Sequence, residues 1–522
     1  MHRIITFLWG ALVAFACTQP EAAIAQDIDL SIDWDTEVKA VPENAYGVNS
    51  PANFIPAYSA DATFMANLAL ITQKKGLIRL HGWGMIDESS PESWLTDGDW
   101  DAAKIQQALT PLVEEGYEIM INIPSGALGE DDYQDAQAFA QFCADLVQIV
   151  NGDYQLHVKY WEIPNEREAD FIAPGLDVSE MSNLIQLASQ AMKNVDPDIK
   201  VGGAATAWVN VGYLTQLVQL TPEIDFISCH TYAGDCTNSL QEIYNNAQDA
   251  IADLALLRQN IDAVSGINNL PIFLTEYNLS YQGCSAIQSY RGAVYDAMIL
   301  TGSVKSGIDV SCYWNVAPYS DMSVIVDDDL DENAYLYEVM NTYFYGDLVQ
   351  NSSSDQSKVL IFAVKNSGTN SYSICLINRT NDVQHVALQM NGMLPDHLDR
   401  YLWDVDHAYL ADSTTWSDLN NGSFSLSPYS VNIFTSQMNP SGTEQLTGAA
   451  YSLFPNPTSA GLFLTGDVEK CEFQIFSSTG KLFSLGTVLN HQIDLTAYPA
   501  GVYFLRLYRG KDYLGVSKII KN

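Results

Sequence analysis

Between residues 45 and 350, the chain alternates eight times between a short apolar run and a longer, helix-forming segment. One such segment begins at Asp101, a helix-capping residue, and carries Ile105, Leu109 and Leu112 on one face. Eight strand–helix units in about 300 residues match the size and order of a (β/α)8 barrel. We therefore predict an α/β fold, a TIM barrel, with strands at residues 46–49, 76–81, 117–124, 156–160, 199–203, 224–232, 270–278 and 310–315.

Two of these strands lead into glutamates. The predicted strand 156–160 runs into Pro164, which has no N–H to give to a sheet, so that Asn165 and Glu166 follow a strand end. The apolar run 270–275 ends in Glu276. A barrel gathers the carboxyl ends of its strands at one rim, which is where barrel enzymes have their active sites. The two carboxylates are therefore predicted to meet, and a carboxylate pair is what cleavage of a glycosidic bond requires.

The rest of the 522-residue chain predicts further pieces. Residues 26–44 alternate at period two like a strand, and are assigned to the barrel domain (26–350) or to the domain after it. Residues 351–440 show short strand patterns between turn residues, which predict a β-sandwich. Residues 441–451 are the predicted linker. Residues 452–522 hold seven Lys and Arg against five Asp and Glu, whereas the whole chain has a net charge of −39, so this piece is compositionally separate.

Charge and the N-terminus indicate where the protein acts. The net charge of −39 argues against binding to nucleic acid or to an anionic membrane. Residues 1–25 have a charged start, an apolar core and the small-residue ending Ala23-Ile24-Ala25, which predict a cleaved signal peptide and a secreted or surface-bound product. A lipoprotein anchored at Cys17 is the alternative. The apolar run is far short of the ~20 residues of a membrane span, and we expect no transmembrane segment.

The cysteines do not form a recognisable framework. Seven of the eight follow residue 25, and their scattered spacing indicates neither a disulfide scaffold nor a metal site. Cys143 lies on the apolar side of a helix, as a small buried residue does. Cys236 and Cys284 both lie in loops that follow strands, and whether they pair stays open.

The last part of the chain resembles a known export signal. Leu453-Phe454-Pro455-Asn456-Pro457, Ser478-Thr479-Gly480-Lys481 and Pro499-Ala500-Gly501-Val502-Tyr503 are similar to motifs of the C-terminal sorting domain of the type IX secretion system. The resemblance implies that the type IX secretion machinery exports the protein across an outer membrane. The alternative is a β-sandwich module that binds carbohydrate.

The barrel resembles the clan A glycoside hydrolases in its Asn-Glu after the fourth strand and its Glu after the seventh. The resemblance implies a retaining double displacement with Glu166 as acid/base and Glu276 as nucleophile. It also implies substrate contacts or positioning roles for Arg79, Asn165, His230, Tyr232 and Trp314. Ile78 to Trp83 is similar to the Arg-x-His-Gly region of glycoside hydrolase family 39, which adds His81 and Trp83 to the site. The chain departs from that family because Pro164 precedes Asn165 and Arg167 follows Glu166.

These features together predict a secreted hydrolase of plant or algal polysaccharides or oligosaccharides. The activities that the resemblance implies are β-xylosidase, α-L-arabinofuranosidase or endo-glycanase, with no cofactor and no metal. Glu162 is a rival for the acid, but it lies earlier in its strand, which favours a buried structural contact. The alternative function is a non-catalytic surface protein that binds glycan.

Overall fold

The structure is a computed structural model that describes most of the chain from residue 27 to residue 521. The residues outside the description are 1–26, 51–60, 74–75, 83, 91–92, 125–134, 170–176, 318–319, 327–328, 370, 392–396, 438–450, 455–457, 459–460, 467, 478–481, 510–511 and 522. The predicted signal peptide, Trp83 and all but the last residue of the predicted linker therefore lie outside the described residues.

The predicted barrel is confirmed. The strands of the first part of the chain are β1 (Ile28–Ala40), β2 (Tyr46–Ser50), β3 (Leu77–Leu80), β4 (Leu95–Thr96), β5 (Asp99–Trp100), β6 (Glu118–Asn122), β7 (Tyr160–Glu162), β8 (Lys200–Thr206), β9 (Ile227–Tyr232), β10 (Ile272–Asn278), β11 (Val310–Tyr313), β12 (Ile325–Val326) and β13 (Asp329–Leu330). Eight of them close in the order β2-β3-β6-β7-β8-β9-β10-β11, and every neighbouring pair is parallel.

A helix follows each barrel strand. The helices are α1 (Ala62–Thr72), α2 (Ala102–Glu114), α3 (Ala136–Val147), α4 (Val178–Val195), α5 (Val211–Leu220), α6 (Leu240–Asp262), α7 (Tyr290–Ser306) and α8 (Ala334–Tyr343), with one π-helical segment, Gln148–Asp153, after α3. Most begin at a side chain that accepts a hydrogen bond from a first-turn N–H, namely Asp61, Asp101, Asp135, Asp177, Asn210, Ser239 and Ser289. These caps fix where each loop ends and each helix begins.

The fourth barrel strand differs from its prediction. Residues 156–159 are not a strand, because the Asn151 side chain bonds both the N–H (2.8 Å) and the carbonyl (2.9 Å) of Val158 in place of a neighbouring strand. His157 also has a φ of +54°, which interrupts an extended backbone. The eight predicted units imply a helix after the fifth strand, but no residues were assigned to α5, although Leu214, Leu217 and Val218 form its buried stripe. Glu276 lies inside β10 and not after it.

The barrel interior is layered. Its lower layer is apolar and includes Leu77, Met120, Phe226, Phe273, Val310 and Cys312, with the rings of Phe226 and Phe273 stacked at 4.7 Å. Above it lie buried polar side chains: Asn49, Arg79, Asn122 and Glu162. The lower layer therefore closes the barrel to water from below and leaves the polar groups facing the carboxyl rim.

The next strands are β14 (Asp347–Ser353), β15 (Val359–Asn366), β16 (Ser371–Asn378), β17 (Gln384–Met390), β18 (His397–Trp403), β19 (Leu410–Thr415), β20 (Ser423–Leu426) and β21 (Ser430–Gln437). With β1 they form one sheet in the order β19-β18-β21-β16-β15-β14-β1-β17-β20. Although five strands separate β20 from β21 in this order, Phe424 and Phe434 make an edge-to-face contact at 5.8 Å. The sheet therefore curls over itself around a core of its own, as a sandwich does.

The C-terminal part is all β, with strands β22 (Tyr451–Phe454), β23 (Gly461–Gly466), β24 (Glu472–Ser477), β25 (Leu482–Thr487), β26 (Gln492–Asp494), β27 (Gly501–Arg509) and β28 (Asp512–Lys521). They form a three-stranded and a four-stranded sheet around a separate core. Arg506 on β27 reaches Glu338 of helix α8 at 2.8 Å. None of the described helices is long and apolar enough to span a membrane.

Candidate active site

Arg79 is the centre of the polar layer. This fully buried side chain donates from Nε to Glu162 Oε2 (2.6 Å), from Nη1 to Glu276 Oε1 (2.7 Å) and to Asn49 Oδ1 (3.0 Å), and from Nη2 to Asn165 Oδ1 (2.7 Å). Burial alone would lower the pKa of Arg79, but the charges of Glu162 and Glu276 outweigh it and raise that pKa above its usual value. With one guanidinium, Arg79 thus holds both Glu276, the predicted nucleophile, and Asn165, a predicted substrate contact.

Glu276 is held at both oxygens. Oε1 accepts from Arg79, and Oε2 accepts from Tyr232 Oη at 2.6 Å. The β10 strand has one extra residue, Thr275, between the residues paired with Cys229 and His230, which is a β-bulge. Bulges redirect side chains at barrel rims. Burial first, and then the neighbouring carboxylate of Glu276, raise the pKa of Tyr232 well above its usual value, so Tyr232 remains a donor to this carboxylate.

His230 lies between the two predicted catalytic carboxylates. Its Nδ1 is 2.6 Å from Glu166 Oε1, and its Nε2 is 3.6 Å from Glu276 Oε1. One oxygen of each glutamate and a nitrogen of His230 all lie within 4.8 Å of one another. The structure therefore brings the side chains of Glu166 and Glu276 together, as the predicted barrel requires.

Glu166 differs from Glu276 in its surroundings. Its side chain is 36% exposed, its backbone N–H donates to Ala205 O (2.9 Å), and its φ is +49°. Burial raises the pKa of Glu166, but the hydrogen bond and charge of His230 and the charge of Arg79 together outweigh burial, so that this pKa lies below its usual value. Glu166 is thus the reachable carboxylate and Glu276 the enclosed one.

His81 and Trp314 also lie close to Glu276. His81 Nε2 is 3.6 Å from Glu276 Oε1, and the His81 ring meets the Trp314 ring edge to face at 4.9 Å. Burial, with the Arg79 charge second, holds the pKa of His81 well below its usual range, so that His81 is neutral at neutral pH. Trp314 is only 9% exposed, so the sugar-facing surface expected of it is a small part of the ring.

Sequence reasoning missed three polar residues of this site. Asn49, in β2, donates to Thr275 O (2.7 Å) and so supports the bulge. Asn122 donates to Glu162 Oε2 at 2.9 Å. Glu162 is fully buried, which agrees with the prediction of a structural contact for this residue in preference to a role as general acid. Glu168 is fully buried, bonds Ala207 N–H (2.8 Å), and has its pKa raised by burial. The sequence feature that could have identified Asn49 and Asn122 is their position, because both lie near the ends of strands.

A disulfide joins two loops of the rim. Cys236, in the loop after β9, is bonded to Cys284, in the loop after β10, which answers the question left open by the sequence. Tyr281 in the second loop donates its N–H to Gly234 O in the first loop at 3.2 Å. The loops that follow the His230 and Glu276 strands are thus tied together. Cys143 is buried, as predicted.

The arrangement suits proton transfer and nucleophilic attack more than metal binding. Glu166, His230 and Glu276 offer three potential ligand atoms in reach of one cation. However, Arg79 already pairs with Glu276 at 2.7 Å, and the positive charge of its guanidinium would repel a metal cation bound there.

Two family models match the chain. Glycosyl hydrolases family 39 matches residues 129–337, and the secretion system C-terminal sorting domain matches residues 452–522. A β-xylosidase of Geobacillus stearothermophilus is 26% identical over 171 residues, which are 30% of this chain and 34% of that protein. A β-xylosidase of Caldicellulosiruptor saccharolyticus is 30% identical over 162 residues, 29% of this chain and 31% of that protein. The matches thus span about a third of the length of these curated relatives.

Solved structures share the fold at low identity. The α-L-arabinofuranosidase from Thermotoga maritima has a TM-score of 0.61 at 14% identity, over 79% of this chain and all of that one. A monomeric β-xylosidase from Caulobacter crescentus CB15 has a TM-score of 0.54 at 16% identity, over 78% and 99%. The chain therefore carries a region of the glycosyl hydrolase family 39 type within a (β/α)8 barrel, and ends in a secretion system C-terminal sorting domain.

Proposed function

We propose that this protein is a secreted, retaining glycoside hydrolase in which Glu276 is the nucleophile and Glu166 the acid/base. The observation that carries the proposal is the close approach of the two carboxylates: one oxygen of Glu166 lies within 4.8 Å of one oxygen of Glu276. Retaining enzymes hold their carboxyl groups about 5–5.5 Å apart, whereas inverting enzymes leave about 6.5–9.5 Å for a water molecule. The short gap favours direct attack by Glu276 on the sugar.

The first step breaks the glycosidic bond. Glu276 attacks the anomeric carbon, the bond to the leaving oxygen breaks, and the Glu166 carboxyl gives its proton to that oxygen. Arg79 and Tyr232 donate hydrogen bonds to the two oxygens of Glu276 and orient it for the attack. In the second step Glu166 takes a proton from water, the water oxygen bonds to the anomeric carbon, and the bond to Glu276 breaks. Asn165, held by Arg79, is the proposed contact of the sugar 2-hydroxyl.

The lowered pKa of Glu166 runs against its role as an acid in the first step. Its main cause on the lowering side is the hydrogen bond from His230, which stabilises the ionised form. When Glu166 turns to a glycosidic oxygen that bond breaks, and with it the stabilisation of the carboxylate. The same bond suits the second step, because an ionised Glu166 is the base that water needs. We propose that His230 switches Glu166 between these two states.

The substrate we propose is a pentose-containing plant or algal polysaccharide or oligosaccharide, with β-xylosidase or α-L-arabinofuranosidase activity. The names of the relatives and fold neighbours support this class. The match to a sorting domain at residues 452–522 supports export to the cell surface or medium by type IX secretion machinery. We further propose the division into a catalytic barrel (to residue 350), a sandwich (351–440, with β1) and a sorting domain (452–522).

Hydrolysis with chemical rescue tests this assignment. The wild type should release sugar from xylan, arabinan or their oligomers, and Glu276→Ala should abolish release. In Glu166→Ala, azide should restore turnover of an aryl glycoside and give a glycosyl azide of retained configuration, because it takes the place of water on the glycosyl enzyme. In Glu276→Ala, azide should give the inverted product. Glycan binding without hydrolysis by the wild type would instead favour the non-catalytic binding protein.

A further inference from the structure

The two sides of the carboxylate pair receive different parts of a substrate, if the proposed function holds. The acid gives its proton to the leaving oxygen, so the leaving group lies beside Glu166, which follows β7. His81 and Trp314, which follow β3 and β11, lie beside Glu276, the group that becomes bonded to the sugar. In the closed barrel, β2 separates β11 from β3, whereas β7, β8 and β9 follow one another on the other side. The leaving group therefore lies over the loops that follow β7 to β9.

Two exposed aromatic side chains stand at the rim of this side. Trp208, in the loop after β8, is 52% exposed, and Tyr281, in the loop after β10, is 55% exposed. Among the described large hydrophobic side chains that stay well exposed, the other aromatic ones, Phe463 and Phe483, belong to the sorting domain. Among these described side chains, the well-exposed aromatic ones of the barrel and sandwich are thus Trp208 and Tyr281, both in loops at the carboxyl ends of barrel strands.

The position of Trp208 is fixed relative to Glu166. The Glu166 N–H bonds to Ala205 O (2.9 Å), three residues before Trp208. The carbonyl of Trp208 accepts from Thr206 Oγ1 (2.8 Å) and from Asn210 N–H (2.7 Å), the cap residue of α5. A short loop that is bonded at both ends therefore fixes the backbone of Trp208 next to the loop that carries Glu166.

The position of Tyr281 is fixed by the loop after β9. Its N–H bonds to Gly234 O (3.2 Å), and its hydroxyl is 3.5 Å from Asp235 Oδ2. The Cys236–Cys284 disulfide ties the same two loops covalently. Both the backbone and the hydroxyl of Tyr281 are thus held by the loop after β9, which neighbours the loops after β7 and β8.

We propose that Trp208 and Tyr281 form a platform for the leaving group, and that this leaving group is itself a sugar. Aromatic rings stack on the apolar faces of sugar rings, and contact would remove apolar surface of both from water. This inference rests on the proposed function and narrows it, because it makes oligosaccharides and polysaccharides the substrates in preference to small glycosides.

The test compares leaving groups. Trp208→Ala and Tyr281→Ala would be assayed with xylotetraose and with xylosyl fluoride, or with the arabinose analogues if the wild type prefers them. Fluoride is a single atom that no platform can stack on. We expect kcat/KM on the tetrasaccharide to fall about tenfold, mainly through KM, since about 1.4 kcal/mol of stacking corresponds to that factor. The value on the fluoride should stay within about twofold of the wild type, and Trp208→Phe should recover most of the loss.

The controls separate the possible failures. Phe463→Ala removes an aromatic side chain that is 43% exposed in the sorting domain and should change neither value. Equal losses on both substrates, or no loss on the tetrasaccharide, would overturn the platform while leaving the hydrolase intact. If the wild type hydrolyses neither substrate pair, the proposed function fails and this inference fails with it.

Discussion

Replacing Arg79 by Gln should both destabilise the barrel and stop the reaction. Arg79 is fully buried and pairs with Glu162 at 2.6 Å and with Glu276 at 2.7 Å, and both carboxylates are themselves buried. Removing one partner of a buried ion pair costs about 3–5 kcal/mol, because the charge left behind stays unsolvated. We expect a loss of this size in the free energy of unfolding of the barrel at pH 7, measured by urea titration with a tryptophan signal.

A second substitution separates stability from function. Glu162→Gln in the Arg79→Gln background removes one unpaired charge and should recover about half of the lost stability, since Glu276 is still unpaired. It should not recover hydrolysis, because Glu276 would still lack its guanidinium partner. Lowering the pH, which protonates carboxylates, should also reduce the stability loss of the single variant. An Arg79→Gln protein that unfolds like the wild type, or that keeps its activity, would refute the view that Arg79 links the fold to the nucleophile.

Three further outcomes are expected. In His230→Ala the pKa of Glu166 should rise, because the hydrogen bond that lowers it is gone, and the high-pH limb of the kcat/KM profile, which reports loss of the acid's proton, should therefore move to higher pH. A limb that stays in place would contradict the proposed switching of Glu166 by His230. Reduction of Cys236–Cys284, which closes a 48-residue separation, should lower the free energy of unfolding by about 2–4 kcal/mol, whereas Cys236→Ser should show no effect of reductant. Arg506→Gln should release the sorting domain from the barrel and increase the radius of gyration in X-ray scattering, whereas Lys470→Gln, at an exposed position of the sorting domain, should not.

The barrel was predictable because its signal is repeated. Eight apolar runs with helices between them have few solutions, and the chemistry-bearing residues at strand ends followed from that fold. The errors lie where side chains replace backbone pairing. Asn151 takes both hydrogen bonds of Val158, and no strand propensity of residues 156–159 reveals a partner that precedes them in the chain. Helix α5 is short, and its stripe was hidden by Gly212 in its first turn and by Pro222 just after its end.

The contacts of the site were less predictable than its members. Glu166, Glu276, Arg79, Asn165, His230 and Tyr232 were chosen as separate residues, each for its place after or near the end of a strand. The bridging position of His230 depends on the bulge at Thr275, and a bulge is set by pairing across two strands and not by either sequence alone. The supporting contacts of Asn49 and Asn122 arise in the same way, through strands that lie far apart in the chain.

Burial of the polar layer lowers the stability of the fold, and the proposed reaction explains why these polar residues are there. Asn49, Arg79, Asn122 and Glu162 come from four neighbouring strands and are buried where apolar residues would pack with less loss of hydration. Their hydrogen bonds converge on Arg79, whose remaining donors hold Glu276 and Asn165. A guanidinium fixed by four groups cannot rotate away when the charge of the nucleophile is lost to the sugar. The layer therefore keeps the site in one geometry through both steps, which is what a double displacement at a single pair of carboxylates demands.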